Sequence, residues 1–141
     1  TSLPITDPNM TRFWLKLENA VWLVIKAFEI MQGGELYVKK IPSMRIMELA
    51  KAIAPKLDTH IIGIRPGEKI HEQMISQEDA RHTLEFDDYY IIQPDLLWWK
   101  NSVKDLGGKP VPLDFSYNSG TNTQWLSVED MQKLIENLDE E

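Results

Sequence analysis

The spacing of apolar residues switches repeatedly between strand and helix periods, and that alternation limits the folds open to this chain. Residues 1–11 are rich in Pro, Asp, Asn and Thr and read as a loop. Residues 12–17 partly alternate and predict a short strand. In a helix over 18–31, Leu17, Val21, Val24, Ile25, Phe28 and Met31 fall on one face, and Gly33-Gly34 lies beyond as a stop. Residues 35–40 predict a strand. Ser43 reads as the cap of a helix over 44–54, with Ile46, Leu49, Ala50 and Ile53 as its buried stripe and Pro55 as its stop. Residues 59–64 predict a strand, and Arg65-Pro66-Gly67-Glu68 a tight turn into a short helix over 69–74. Ser76 with Asp79 forms a weak capping box for a helical segment reaching about residue 84. Residues 89–93 predict one more strand. Ser127 caps a last helix with the stripe Met131, Leu134, Ile135 and Leu138. The sum is a mixed α/β fold of short strands and helices.

Between the last strand and the last helix the pattern weakens. Gly107-Gly108, Pro110 and Pro112 mark an irregular arm over 94–126. Its aromatics, Trp98, Trp99, Phe115, Tyr117 and Trp125, are too many for a free linker and predict an arm that is held down. The expected organisation is an α/β lobe over 1–93, the aromatic arm over 94–126 and the terminal helix over 127–141, all in one structural domain.

Composition excludes several classes of function. With 141 residues, 43% hydrophobic and 26% charged, the chain can bury a core and is not disordered throughout. The longest apolar candidate, residues 20–31, is broken by Lys26 and Glu29 and falls short of a membrane span. The start, Thr-Ser-Leu-Pro, has neither a signal-peptide pattern nor a Met, which predicts a cytoplasmic protein beginning within a longer one. The absence of Cys removes disulfides, Cys-zinc sites and a Cys nucleophile. A net charge of −7 argues against a broad nucleic-acid surface, though a small anion pocket built on one or two arginines stays open.

Several catalytic signatures are missing. No Gly-x-Gly-x-x-Gly follows a strand, no Walker loop is present, His71-Glu72 lacks a second His at metal spacing, and no Tyr has a Lys four residues on. What remains is two arginines in particular places. Arg12 follows a Pro/Asn loop at the start of a strand; Arg65 follows a strand and precedes Pro-Gly. Ligand crevices in α/β proteins lie at such strand ends, and a guanidinium fork suits phosphate oxygens. Spacing alone favours a surface ion pair for each arginine, in a chain with 22 acids. His71 and His82 read as surface or capping residues, and Asn9-Met10-Thr11 as a chance sequon.

The stretches TDPNMTRFWLKLENAV, GGELYVKKIPSMRIMELAKAIAP, IIGIRPGEKIHEQMIS, LEFDDYYIIQP and FSYNSGTNTQWLSVEDMQKLI together resemble the C-terminal part of one family. It is the bacterial UDP-N-acetylglucosamine 4,6-dehydratases, in particular the inverting type that opens pseudaminic acid synthesis. These are extended short-chain dehydrogenases of the polysaccharide-biosynthesis group. The resemblance covers nearly the whole chain. It implies the substrate-binding lobe of such an enzyme without the N-terminal Rossmann core. It further implies that Arg12 and Arg65 hold the diphosphate of a UDP-sugar, that Glu68 meets the uridine ribose, and that Asn9 and Met10 lie near the nucleotide. For the full-length family it implies NADP, with oxidation at C4, loss of water across C5 and C6, and hydride return to C6. The expected partners are a UDP-sugar and either a second copy or the missing N-terminal domain, with no nucleic acid or membrane. No cofactor is expected on this chain alone. A non-catalytic assembly module or a truncated remnant is the other reading.

Overall fold

The computed structural model describes residues 2–96 and 107–138, without the side chain at 138. Trp98, Trp99, the Leu138 side chain and the acidic tail at 139–141 therefore lie outside the described residues. The order of elements is β1 (Leu3–Ile5), β2 (Thr11–Phe13), α1 (Leu17–Ile30), β3 (Leu36–Lys39), β4 (Ser43–Arg45), α2 (Ile46–Ile53), β5 (Thr59–Ile61), β6 (Gln73–Ile75), a 3-10 turn (Asp79–His82), β7 (Thr83–Glu85), β8 (Tyr89–Ile92), β9 (Lys109–Pro110), β10 (Tyr117–Asn118) and α3 (Val128–Leu138). The mixed α/β class expected from the alternation is what the chain forms.

The chain divides into two compact units. The first takes residues up to 14, 41–72 and from 118 on; the second takes 15–40 and 73–117. The arm is thereby shared, its 94–117 part belonging to the second unit and its 118–126 part to the first.

In the first unit, β1 and β5 pair in parallel, Leu3 against Thr59, while β2 and β4 pair antiparallel, Arg12 against Met44. The core is Met44, Ala52 and Met131, with Trp14, Leu49, Leu126, Val128 and Ile135 packed around it. Residues 1–11 are thus not all loop. Pro4 gave no strand signal, but a two-stranded pair has an open side where proline costs no ladder bond.

Ser43 is not a helix cap. It lies fully buried in β4, where its N–H donates to Gln124 O at 2.9 Å and its carbonyl accepts from Leu126 N at 2.9 Å. Helix α2 starts two residues later than the cap reading implied, without a side-chain cap. Met10 O instead accepts from Ile46 N at 2.9 Å. The alanines Ala50 and Ala52 are its buried residues, while Ile53 is exposed. At the other end, the Ser127 cap of α3 holds: Asp130 N donates to Ser127 Oγ at 3.1 Å, and Ser127 N donates back to Asp130 Oδ2 at 3.0 Å.

In the second unit a four-stranded antiparallel sheet runs in the order β3-β8-β7-β9. Its central strand β8 buries Tyr89, Tyr90 and Ile91, and Leu84, Tyr89 and Ile91 form the core. Of the described arm aromatics, Phe115 and Tyr117 pack, lying 5.2 and 5.3 Å from the Tyr90 ring, whereas Trp125 is 37% exposed.

The two middle helices expected from the sequence are largely absent. Ser76 and Asp79 bond each other reciprocally, as the capping box predicts, but the helix closes after one 3-10 turn. Leu84 then pairs with Ile91 in the sheet, where it is 2% exposed, and that burial outweighs local helix propensity. Residues 69–74 do not coil either. The carbonyls of Lys69 and Ile70 are taken by other partners, and Gln73–Ile75 extends as β6.

Helix α1 forms as expected but turns an unexpected face inward. Leu23 and Ile30 pack on the core, and Trp22 meets Tyr89 at 6.0 Å. The predicted stripe Leu17, Val21, Val24, Ile25, Phe28 and Met31 is 49–77% exposed. A helix apolar on most of its circumference has no period that selects its buried side.

Candidate functional site

Every residue singled out as a ligand contact belongs to the first unit. Arg65 follows β5 by four positions, on a turn whose chemistry is fully visible. Pro66 presets one backbone angle and Gly67 stands at φ +81°, which together mark a type II turn. Glu68 N donates to Arg65 O at 3.1 Å, and one Glu68 carboxylate oxygen accepts from Arg65 N at 3.3 Å. Glu68 is therefore the residue that closes the turn, with its second carboxylate oxygen left over. The Arg65 guanidinium is exposed and has no partner among the described residues.

Arg12 is placed quite differently. Its Nη1 donates to Thr11 O at 2.7 Å and to Ile70 O at 3.1 Å, and its Nη2 donates to Lys69 O at 2.9 Å. Its Nε faces Glu72 Oε1 at 3.5 Å. Thr11 N adds a further bond to Ile70 O at 3.0 Å. Arg12 thus lies across the segment that follows the Arg65 turn.

Asn9 is exposed, with its N–H on Asp7 Oδ1 at 2.7 Å, a local turn that leaves its amide side chain outward. Met10 is 3% exposed, with its side chain in the core.

Beside Arg12 lies a hydroxyl cluster that sequence reasoning did not pick out. Thr11 Oγ1 sits 2.8 Å from His71 Nδ1 and 2.7 Å from Ser119 Oγ. Ser119 is 0% exposed and accepts from Glu72 N at 2.9 Å. His71 lies against Gly120 so closely that a Cβ there would stand 2.7 Å from its ring. Glu72 and His71 sit inside the Arg-Pro-Gly-Glu-Lys-Ile-His-Glu run, and Ser119 inside the arm motif, so a signal existed. What the motif could not say is that residues 11, 71 and 119 meet. Asn122 ties the same arm down, its Nδ2 donating to Ile41 O at 2.8 Å and Ser43 Oγ at 3.0 Å.

The arrangement offers one guanidinium without a partner among the described residues, a second one engaged with backbone, and flanking hydroxyl, imidazole and carboxylate groups. That is the chemistry of anion and sugar recognition. Among the described residues no group of His, Asp and Glu is placed to hold a metal ion, and no helix is long and apolar enough to cross a membrane. The donor set for a dinucleotide pyrophosphate is not built either. Among the described residues the α-helices open after Lys16, Arg45 and Ser127, none of them on a glycine-rich loop. NADP does not fit the residues described, and no step is derived through it.

Comparison with known proteins places the chain in a family. The family model described as "Polysaccharide biosynthesis protein" matches residues 1–94. An inverting UDP-N-acetylglucosamine 4,6-dehydratase of Campylobacter jejuni is 48% identical over 139 residues, covering 94% of this chain and 42% of the relative. A UDP-glucose 4-epimerase of Rickettsia felis is 39% identical over 144 residues, covering 97% of this chain and 41% of that protein. The crystal structure of Pen from Bacillus thuringiensis superposes with a TM-score of 0.78 at 26% identity, covering 97% of this chain and 40% of that one. The chain therefore spans about two-fifths of the length of these relatives.

Proposed function

The chain belongs to the polysaccharide biosynthesis protein family, and from that premise we propose that it carries the UDP-sugar-binding part of a nucleotide-sugar 4,6-dehydratase. The observation that carries the reading is Arg65: an exposed guanidinium without a partner among the described residues, presented by a rigid type II turn. Such a group matches a diphosphate oxygen pair, and a charge-assisted bond of this kind is worth about 1.5–3 kcal/mol. Glu68 keeps one carboxylate oxygen for a ribose hydroxyl, and Asn9 offers an outward amide. Inverting stereochemistry belongs to the same proposal, supported by the Campylobacter relative's name; a role in pseudaminic acid synthesis and a cytoplasmic site are proposed with it. So does the parent enzyme's NADP.

In this scheme the chain binds and orients substrate, while proton and hydride chemistry fall to groups it does not contain. Binding without transition-state groups gives affinity and not turnover. The test is a titration of the full chain with UDP and with UDP-N-acetylglucosamine, followed by tryptophan fluorescence. The expected result is binding that Arg65→Ala weakens about tenfold or more, and no 4-keto-6-deoxy product on adding NADP. Unchanged binding in Arg65→Ala, or product above buffer, overturns the reading. A second reading, an assembly module, is favoured by the exposed apolar stripe of α1. Hydrodynamic mass separates the two, since that reading requires the chain to self-associate or to bind a partner through α1.

A further inference from the structure

We propose that Arg12 acts as a positioning residue, whose guanidinium locks the segment that carries the Arg65 turn. The inference rests on the UDP-sugar reading above and assigns its two arginines different work. An arginine has five N–H donors. Three of those on Arg12 are spent on backbone carbonyls, two from Nη1 and one from Nη2. The Nε–H faces the Glu72 carboxylate at 3.5 Å. Both terminal nitrogens are therefore committed, and the paired fork that would grip a phosphate is already in use. The Glu72 charge beside it also offsets the positive field an anion would feel.

The carbonyls it holds matter as much as the number. Thr11 O lies on β2, whereas Lys69 O and Ile70 O lie just beyond Glu68. Glu68 in turn closes the turn on Arg65 through two hydrogen bonds. Short covalent steps and closed bonds thus run from Arg12 to Arg65 without a flexible link. Releasing the carbonyls frees 69–72, and with it the base of the turn. Lysine cannot substitute: its donors diverge from a single atom on a flexible stem and do not span three carbonyls set by two segments.

The experiment is a double-mutant cycle on the full chain, with Kd for UDP measured for wild type, Arg12→Lys, Arg65→Ala and the pair. Amide hydrogen exchange over 65–72 is recorded without ligand, and the melting temperature reports folding. Uridine, which lacks the diphosphate, is the control ligand. The expected result is that Arg12→Lys weakens UDP roughly tenfold or more while uridine is unchanged. It also raises exchange over 65–72, and it has no further effect once Arg65 is Ala. A purely structural arginine would weaken both ligands alike, and its effect would persist in the Arg65→Ala background. Direct phosphate contact by Arg12 would let lysine retain most of the affinity, with the two losses multiplying; either pattern overturns the proposal. Should Arg12→Lys fail to fold, Glu72→Gln decides. The carbonyl clamp predicts UDP affinity within about twofold of wild type, whereas severalfold tightening would show an arginine freed to reach phosphate and would overturn it. Wild type that binds no UDP, or Arg65→Ala that binds as well as wild type, removes the UDP-sugar reading itself and this proposal with it.

Discussion

Gly120→Ala is the substitution with the sharpest structural consequence near the site. Gly120 is not in the left-handed region, so a methyl group adds no backbone strain and acts only through space. The new Cβ would stand 2.7 Å from His71 Cγ and Nδ1 and 2.9 Å from Cδ2, closer than carbon contacts allow. The ring must move. Because His71 is exposed on its outer side, it can swing outward at the cost of its 2.8 Å contact with Thr11 Oγ1. Thr11 keeps its bond to Ser119 at 2.7 Å, so no buried hydroxyl is left bare. Displacing the ring and losing one hydrogen bond together cost about 1–2 kcal/mol, at the low end of overpacking because the ring has somewhere to go. Denaturant unfolding of wild type, Gly120→Ala, His71→Ala and the double variant measures this. The double variant should lose no more than His71→Ala, since the methyl then fills vacated space. If Gly120→Ala costs less than a few tenths of a kcal/mol, or costs the same with His71 already removed, the ring is not the obstacle and the reasoning fails.

Other outcomes follow from the same structure. Gly108→Ala should cost more, about 2–3 kcal/mol, because its Cβ would lie 2.6 Å from a Phe86 ring that is stacked on Tyr89 at 4.8 Å and cannot swing free; the same unfolding assay checks this. Burial pushes the phenols of Tyr37 and Tyr90 up to about 12, with Glu35 and Glu85 respectively adding to it, and raises Tyr89 as well. Their neutral forms favour the folded chain, so stability should hold below pH about 10 and fall from there toward pH 12, with phenolate absorbance rising late and together with unfolding. The backbone N–H of Ser127 first, and its hydroxyl second, hold Asp130 below the usual carboxylate range. Its cap of α3 should persist above the free carboxyl value and weaken as acid protonates it, and Asp130→Asn should abolish that acid sensitivity in helical circular dichroism. Phe28→Lys with Val24→Lys should reduce binding of a hydrophobic dye without lowering the melting temperature, since both side chains are more than half exposed; a large loss of stability would show that the face is covered.

Local chemistry settled much of this protein before any tertiary contact was considered. The mixed α/β class follows from alternating periods. Helix α3 follows from Ser127 with Asp130 and a clean apolar stripe. The tight turn at Arg65 follows from Pro66 and Gly67, which leave the backbone few other shapes. Each of these signals is contained within a few residues, so sequence suffices. Three outcomes were decided elsewhere. Ser76 and Asp79 cap a turn as their spacing demands, yet Leu84 gains more from pairing with Ile91 in the sheet than from another helical turn. Helix α1 carries apolar residues on most of its surface, so its period could not say that Leu23 and Ile30 turn inward while Phe28 and Val24 turn out. At the site, the sequence marks Arg12 and Arg65 as similar cations beside turns. Only the pairing of β2 with β4 and the return of residues 69–72 bring two distant carbonyls to Arg12 and leave Arg65 with none among the described residues, because hydrogen bonds between segments 57 and 58 residues apart have no local signature.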